Sequence, residues 1–148
     1  MRPVLRALSA AAALAIGAAP APGGVSSRKI LRTRTTWDGA PLALPALQKP
    51  EVQGMVVEIA PGAATAWHKH PANHFAYILE GAIRVELEGG VAREFKAGES
   101  FAEVVGTWHR GVSTGAVPVK LVVFDIGESG APASIPKPQE AAPVRARP

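Results

Sequence analysis

The chain contains four histidines, His68, His70, His74 and His109, and no cysteine. Without cysteine there is no thiolate metal site, no disulfide and no cysteine nucleophile. Imidazole is then the strongest transition-metal ligand available. His68 and His70 stand at i and i+2. On a pleated strand that spacing puts both rings on one face and turns Lys69 away. Pro71-Ala72-Asn73 reads as a turn, after which His74 opens a new strand and can face the first pair. His109 must come from a strand distant in sequence. A His-x-His pair alone is a weak signal, because a single buried histidine is usually a hydrogen-bonded core residue. His-x-His-x3-His followed by a fourth histidine is far more specific, and here it takes in every histidine of the chain. The expectation is one divalent transition metal held by His68, His70, His74 and His109. All-nitrogen ligation suits zinc, iron, nickel, copper or manganese rather than magnesium or calcium. With each histidine committed to the metal, no Ser–His–Asp relay is suggested.

The elements that would position these rings are strands. Val52–Ile59 is rich in β-branched residues and ends at Pro61-Gly62. Thr65–His70 and His74–Leu79 follow, the second closed by Glu80-Gly81. Ile83–Glu88 alternates apolar and polar throughout, the mark of a half-buried strand. Gly89-Gly90 supplies a hairpin turn into Val91–Lys96. Phe101–Val105, Trp108–Val112 and Val119–Ile126 complete the set. No stretch of 51–126 carries a helical period, and short strands at regular spacing argue a sandwich or small barrel.

Two motifs now resemble those of the cupin superfamily. The first family motif reads G-x5-H-x-H-x3–4-E-x6-G, and Gly62, His68, His70, His74 and Gly81 keep its spacing, with His74 in the glutamate place. The second reads G-x5-P-x-G-x2-H-x3-N. Gly98, Val104, Gly106, His109 and Ser113 keep its spacing, with valine for proline and serine for asparagine. Residues 82–97 separate the motifs, at the compact end of the family. The resemblance implies an all-β, single-domain antiparallel jelly-roll barrel over residues 51–126, with the metal near one mouth. It further implies a small-molecule ligand or substrate and the option of a homodimer. Replacing glutamate by His74 changes the chemistry: four neutral imidazoles leave a divalent ion its full +2 charge and remove a carboxylate that could act as a base. Some cupins that resemble this four-histidine pattern, certain polyketide cyclases among them, use it for catalysis.

Charge is unevenly distributed. Residues 1–50 carry seven basic groups against Asp38 alone, residues 51–126 carry six basic and nine acidic groups, and residues 127–148 carry three and two. The barrel is therefore mildly acidic, which argues against nucleic acid as a partner. The Arg28-Lys29-Arg32-Arg34 cluster reads as a solvated stretch. Arg2 and Arg6 precede the apolar run Ala7–Ala19, the pattern of a secretory signal peptide over residues 1–21. That run is too short and alanine-rich to serve as a membrane anchor of the mature form. A periplasmic or secreted protein is expected, or a cytoplasmic one if the start is misplaced. Residues 22–50 read as a linker and lead-in, and the Pro/Ala-rich residues 127–148 as a disordered tail.

Strand parity sets Trp67 and Trp108 opposite their neighbouring histidines, on the outside. Met55, Ala76, Ile78, Phe101 and Val123 are candidates to line a cavity. Glu103 could be an acid placed behind the ligands, but its more ordinary reading is an exposed strand carboxylate, since unpaired glutamate is seldom buried. The functional expectation is a metal-dependent enzyme of dioxygenase, isomerase, decarboxylase or cyclase type acting on a small oxygen-containing molecule. The alternative is a metal- or metabolite-binding module without chemistry.

Overall fold

The computed structural model describes residues 24–138. It contains no helix among the described residues and nine strands: β1 Pro50–Ile59, β2 His68–Lys69, β3 Asn73–Glu80, β4 Ala82–Leu87, β5 Ala92–Lys96, β6 Ser100–Ala102, β7 His109–Ser113, β8 Val119–Glu128 and β9 Ile135–Pro136. They form a four-stranded sheet in the order β1-β8-β3-β6 and a five-stranded sheet in the order β5-β4-β7-β2-β9. Strand β1 pairs with β8, β2 with β7, β3 with β6 and β4 with β5, all antiparallel. This nesting of early strands with late ones is the jelly roll that the motifs implied.

Alternation decides which residues face inward. Along β8, Val119, Leu121, Val123 and Asp125 are buried while the residues between them are more open. Along β3, His74, Ala76 and Ile78 are buried, and along β7, His109, Gly111 and Ser113. The apolar members of these rows meet Ile83 and Val85 of β4, with Phe95 stacked on Phe101 at a ring distance of 3.8 Å. This core fills one end of the barrel, and His74, His109 and Asp125 of the same inward rows gather at the other.

Two glycines are required by their surroundings. Gly81, in the turn between β3 and β4, has φ +74°, and a Cβ there would lie 2.6 Å from the Pro118 carbonyl oxygen. Gly111 faces into the barrel, where a Cβ would meet Ile83 Cδ1 at 2.6 Å. Its missing side chain leaves room for Ile83 inside the barrel.

The chain outside 51–126 departs from expectation in one important respect. Residues 1–21, read as a leader, lie outside the described residues, as do 139–148. Residues 127–138, read as part of a disordered tail, are organised: β8 runs on to Glu128, and Ile135–Pro136 add a strand beside β2. Proline content hid this, because Pro136 sits on a sheet edge, where a missing N–H is tolerated. The lead-in is also tied down. The Trp37 amide donates to the Ala102 carbonyl (2.9 Å), and the Trp37 ring meets Phe95 edge-on.

Candidate metal centre

The fold brings all four histidines together. His68 and His109 are direct cross-strand partners between β2 and β7, with ring centroids 4.5 Å apart. His74, the second residue of β3, lies opposite Asp125 of β8. Strand β2 ends at Lys69, and His70 sits just beyond it, before Pro71, in a single bridge to Val105. From there its ring stacks on His74 at 3.8 Å and lies 5.1 Å from His68 and 5.0 Å from His109. The ligand atoms of His68, His70 and His109 fall within 4.8 Å of one another, as do those of His70, His74 and Asp125. His70 joins the two groups.

Each ring is held through Nδ1. His68 Nδ1 lies 2.8 Å from the Ala66 carbonyl oxygen, His70 Nδ1 2.8 Å from that of Ala133, and His109 Nδ1 2.8 Å from that of Thr107. His74 Nδ1 lies 2.6 Å from Asp125 Oδ1. Carbonyl oxygens only accept, so the proton of each carbonyl-bound ring sits on Nδ1, and a carboxylate imposes the same choice on His74. The tautomers are thereby set, and each neutral ring keeps a free lone pair on Nε2. His109 Nε2 is buried and, among the described residues, makes no well-formed hydrogen bond, with only Glu103 Oε1 near it at 3.2 Å. A buried nitrogen left without a partner is expensive unless something else satisfies it. Four such lone pairs fit a divalent transition metal, and the chemistry of these residues allows them to hold one.

Electrostatics prepare the rings in the same way. Burial lowers the His70 pKa to about 3, with the neighbouring His74 acting in the same direction. Burial likewise lowers His109 to about 4. Both rings are therefore neutral near pH 7, the state in which imidazole binds metal.

Two acids flank the histidines; Asp125 was not expected there, and Glu103 only as the alternative to an exposed position. Asp125 is 6 % exposed and Glu103 is 5 % exposed. Glu103, read as an exposed strand carboxylate, is instead buried, with Oε1 3.2 Å from His109 Nε2 and Oε2 unpartnered. Burial pushes its carboxyl up to about 8, and nearby Asp38 adds to the rise. The Trp37 side chain acts the other way but does not offset burial, so the acid is kept neutral inside the barrel. Asp125 had a visible signal in the sequence: it continues the inward odd-numbered row of Val119, Leu121 and Val123. It also supplies the negative charge that the exchange of glutamate for His74 had removed, now behind a ring rather than in the ligand set.

The histidines form the polar end of a cavity of about 170 Å³. Met55, Ala76, Phe101 and Val123 line it as expected, together with Val57, Ile83, Val85 and Leu121. Ile78 does not reach the cavity; it is fully buried in the apolar core. Apart from the histidines, the polar lining side chains are Glu103, Thr65 and Ser134. Trp67 and Trp108 are half-buried on the outer side, with the Arg110 guanidinium over the first ring (5.1 Å) and the Lys69 ammonium over the second (4.7 Å).

Comparison with known proteins agrees with this architecture. Residues 55–125 match the family model described as Cupin domain. The chain is similar to a protein named (R)-mandelonitrile lyase from Granulicella tundricola, with 33% identity over 78 residues, covering 49% of this chain and 60% of that protein. This chain therefore spans about 60% of that curated relative's length. Among solved structures, it is similar to the polyketide cyclase RemF from Streptomyces resistomycificus (25% identity, 51% of this chain and 54% of that one, TM-score 0.46). It is also similar to a structure of the DMSP lyases RdDddP and RnDddQII (15% identity, 59% and 44%, TM-score 0.51), which shares the fold. The barrel spanned by residues 55–125 is a cupin domain.

Proposed function

We propose that this chain is a metal-dependent cupin enzyme acting on a small, largely apolar molecule with one oxygen-bearing end. His68, His70, His74 and His109 hold a divalent transition metal in this reading. The observation that carries it is the shared anchoring of the four rings: each Nδ1 is bound to an oxygen acceptor, leaving Nε2 free at the polar end of an apolar cavity. When bound, the metal supplies a Lewis acid or a redox centre. The protein's own residues do the rest. Val57, Val85, Leu121 and Val123 desolvate the apolar body of the substrate and turn its polar end toward the histidines. A cavity of about 150 Å³ with similar lining takes one benzene ring, so a cavity of about 170 Å³ suits a single ring or a short branched chain. Among the described residues Glu103 is the only acidic side chain lining the cavity, and it is placed to exchange a proton with a molecule seated beside His109. Asp125 fixes the His74 ring and balances part of the metal's charge.

The name of the curated relative makes a lyase reaction on mandelonitrile the first activity to assay, ahead of dioxygenase, isomerase and cyclase reactions. A binding module without chemistry is the competing reading, because four nitrogens also complete a closed tetrahedral zinc site. The outer face of the four-stranded sheet leaves Val52, Val56 and Phe124 exposed, which suits packing of a second copy in a homodimer. Export to the periplasm or beyond rests on the basic-then-apolar pattern of residues 1–21 alone.

The test is elemental analysis of protein purified without added metal, beside His109→Ala, followed by turnover assays. Stoichiometric transition metal in the parent chain, lost in His109→Ala, together with turnover that follows metal content, is the expected result. A metal-free parent chain that cannot be loaded would overturn the reading. A tightly loaded chain with no exchangeable position and no turnover would leave the binding module in its place.

A further inference from the structure

After β8 the chain turns back on itself at Gly130, where the Ala131 amide donates to the Glu128 carbonyl (3.0 Å) and φ is +81°. It then crosses the barrel mouth. Ala133 and Ser134 line the cavity that holds the histidines. Ile135 and Pro136 pair with Lys69 and His68 as β9. The Lys137 amide donates to the Trp67 carbonyl (2.8 Å), and the Lys137 ammonium pairs with Glu88 in the turn between β4 and β5. The segment is thus fastened at both ends, and Pro132 and Pro136 limit its freedom between them. Its middle reaches the site: the Ala133 carbonyl oxygen is the acceptor that holds His70 Nδ1. The other two carbonyl acceptors lie within two residues of their own histidines, at Ala66 and Thr107. Only His70 depends on a carbonyl from the far end of the chain.

We propose that residues 131–137 are a selectivity strap, which sets the orientation of His70 through the Ala133 carbonyl and decides, through Ser134 at the rim, which small molecules reach the histidines. This rests on the metal-binding reading above for its functional consequence, but the hold on His70 does not. With the strap in place, His70 must carry its proton on Nδ1 and present Nε2 to the site. With the strap removed, the Nδ1 proton loses its acceptor, the ring can rotate or change tautomer, and the mouth opens on the side of β2. Ser134 is solvent-exposed yet also lines the cavity, so it stands at the entrance. A larger side chain there narrows the entrance without touching the barrel wall.

Three proteins test this: the full chain, a chain ending at Ser129, and the full chain with Ser134→Leu. Imidazole NMR of each metal-free protein reads the His70 Nδ1 proton. It should be protected in the full chain and in Ser134→Leu, and exchange rapidly in the truncated chain. Titration with Co²⁺ alone should show affinity about 10- to 100-fold weaker for the truncated chain, the usual effect of losing a hydrogen bond behind a ligand. On the Co²⁺-loaded proteins, azide and benzoate probe access. Ser134→Leu should weaken benzoate binding at least 10-fold while leaving azide unchanged, and truncation should narrow the difference between the two. Equal His70 protection with and without residues 130–148 would overturn the hold on the ring. Unchanged benzoate-to-azide ratios in Ser134→Leu would overturn the selectivity role, and this full-length variant decides that point even if the truncated chain fails to fold. If no variant bound Co²⁺, the metal reading would fall while the NMR comparison still decided whether the strap governs His70.

Discussion

Asp125 offers the sharpest quantitative prediction. Its Oδ1 lies 2.6 Å from His74 Nδ1, and the two residues are direct cross-strand partners, 6 % and 8 % exposed. The same oxygen stands 4.0 Å from His70 Nδ1. Asp125→Asn keeps an oxygen that can accept the His74 proton but removes the charge. Asp125→Ala removes both and leaves the buried His74 Nδ1–H with no acceptor. Loss of a group behind a metal-bound histidine weakens metal affinity by about 10- to 100-fold, or about 1.4 to 2.8 kcal/mol. Asparagine should fall at the lower end of that range and alanine at the upper end. The unpartnered N–H should in addition destabilise the metal-free alanine variant by about 1–3 kcal/mol. Chelator-competition titration with Zn²⁺ measures the first quantity, and urea unfolding of chelator-treated protein measures the second. Affinities within twofold of the parent for both variants would refute the argument that Asp125 orients His74 and offsets the metal's charge.

Further outcomes follow from the same geometry. In the metal-free protein, His70 and His109 hold their pKa values near 3 and 4, below the ordinary 6.5, so the folded state binds fewer protons than the unfolded one and stability falls as pH drops below 6.5. Glu103, raised from 4.5 to about 8, binds a proton that the unfolded chain has lost, so its share of stability is lost as pH rises through 8. The metal-free chain should therefore be most stable near pH 6.5, with a slope of up to about 1.4 kcal/mol per pH unit on either side, and Glu103→Gln should flatten the alkaline side in denaturation measured from pH 6.5 to 9. His74→Glu restores the family's usual ligand but sets a second carboxylate beside Asp125. It should bind Zn²⁺ more weakly than the double variant His74→Glu/Asp125→Asn, and equal affinities would show that the two sites are uncoupled. Gly81→Ala combines a positive φ with a clash against the Pro118 carbonyl, and urea unfolding should show a loss above about 1 kcal/mol without loss of metal binding.

The strands were legible because alternation in runs such as Ile83–Glu88 reports directly which residues face a core. The four histidines were legible because their spacing matched strand parity and because no other histidine competed for attention. What escaped did so for identifiable reasons. Glu103 was placed on the surface by a rule about unpaired acids, and the rule failed because burial keeps this acid protonated. Asp125 continued an inward apolar row, but it ended a strand otherwise read as core and was passed over. The strap escaped because β9 has two residues, one of them proline, and a pairing that short leaves no period in the sequence. Its order comes from backbone contacts to Trp67, His68 and His70, and these exist only once the barrel has closed. Local pattern thus revealed the four histidines, whereas the acceptors that hold His70 and His74, at Ala133 and Asp125, came from distant parts of the chain.

The central claim is that four imidazoles meet on one ion. X-ray absorption spectroscopy of the full chain loaded with one equivalent of Zn²⁺ tests it most directly. The account predicts a nearest shell with four histidine nitrogens and the outer-ring scattering of four imidazoles, falling to three in His109→Ala. A nearest shell with two imidazoles or fewer, or one unchanged by His109→Ala, would contradict it.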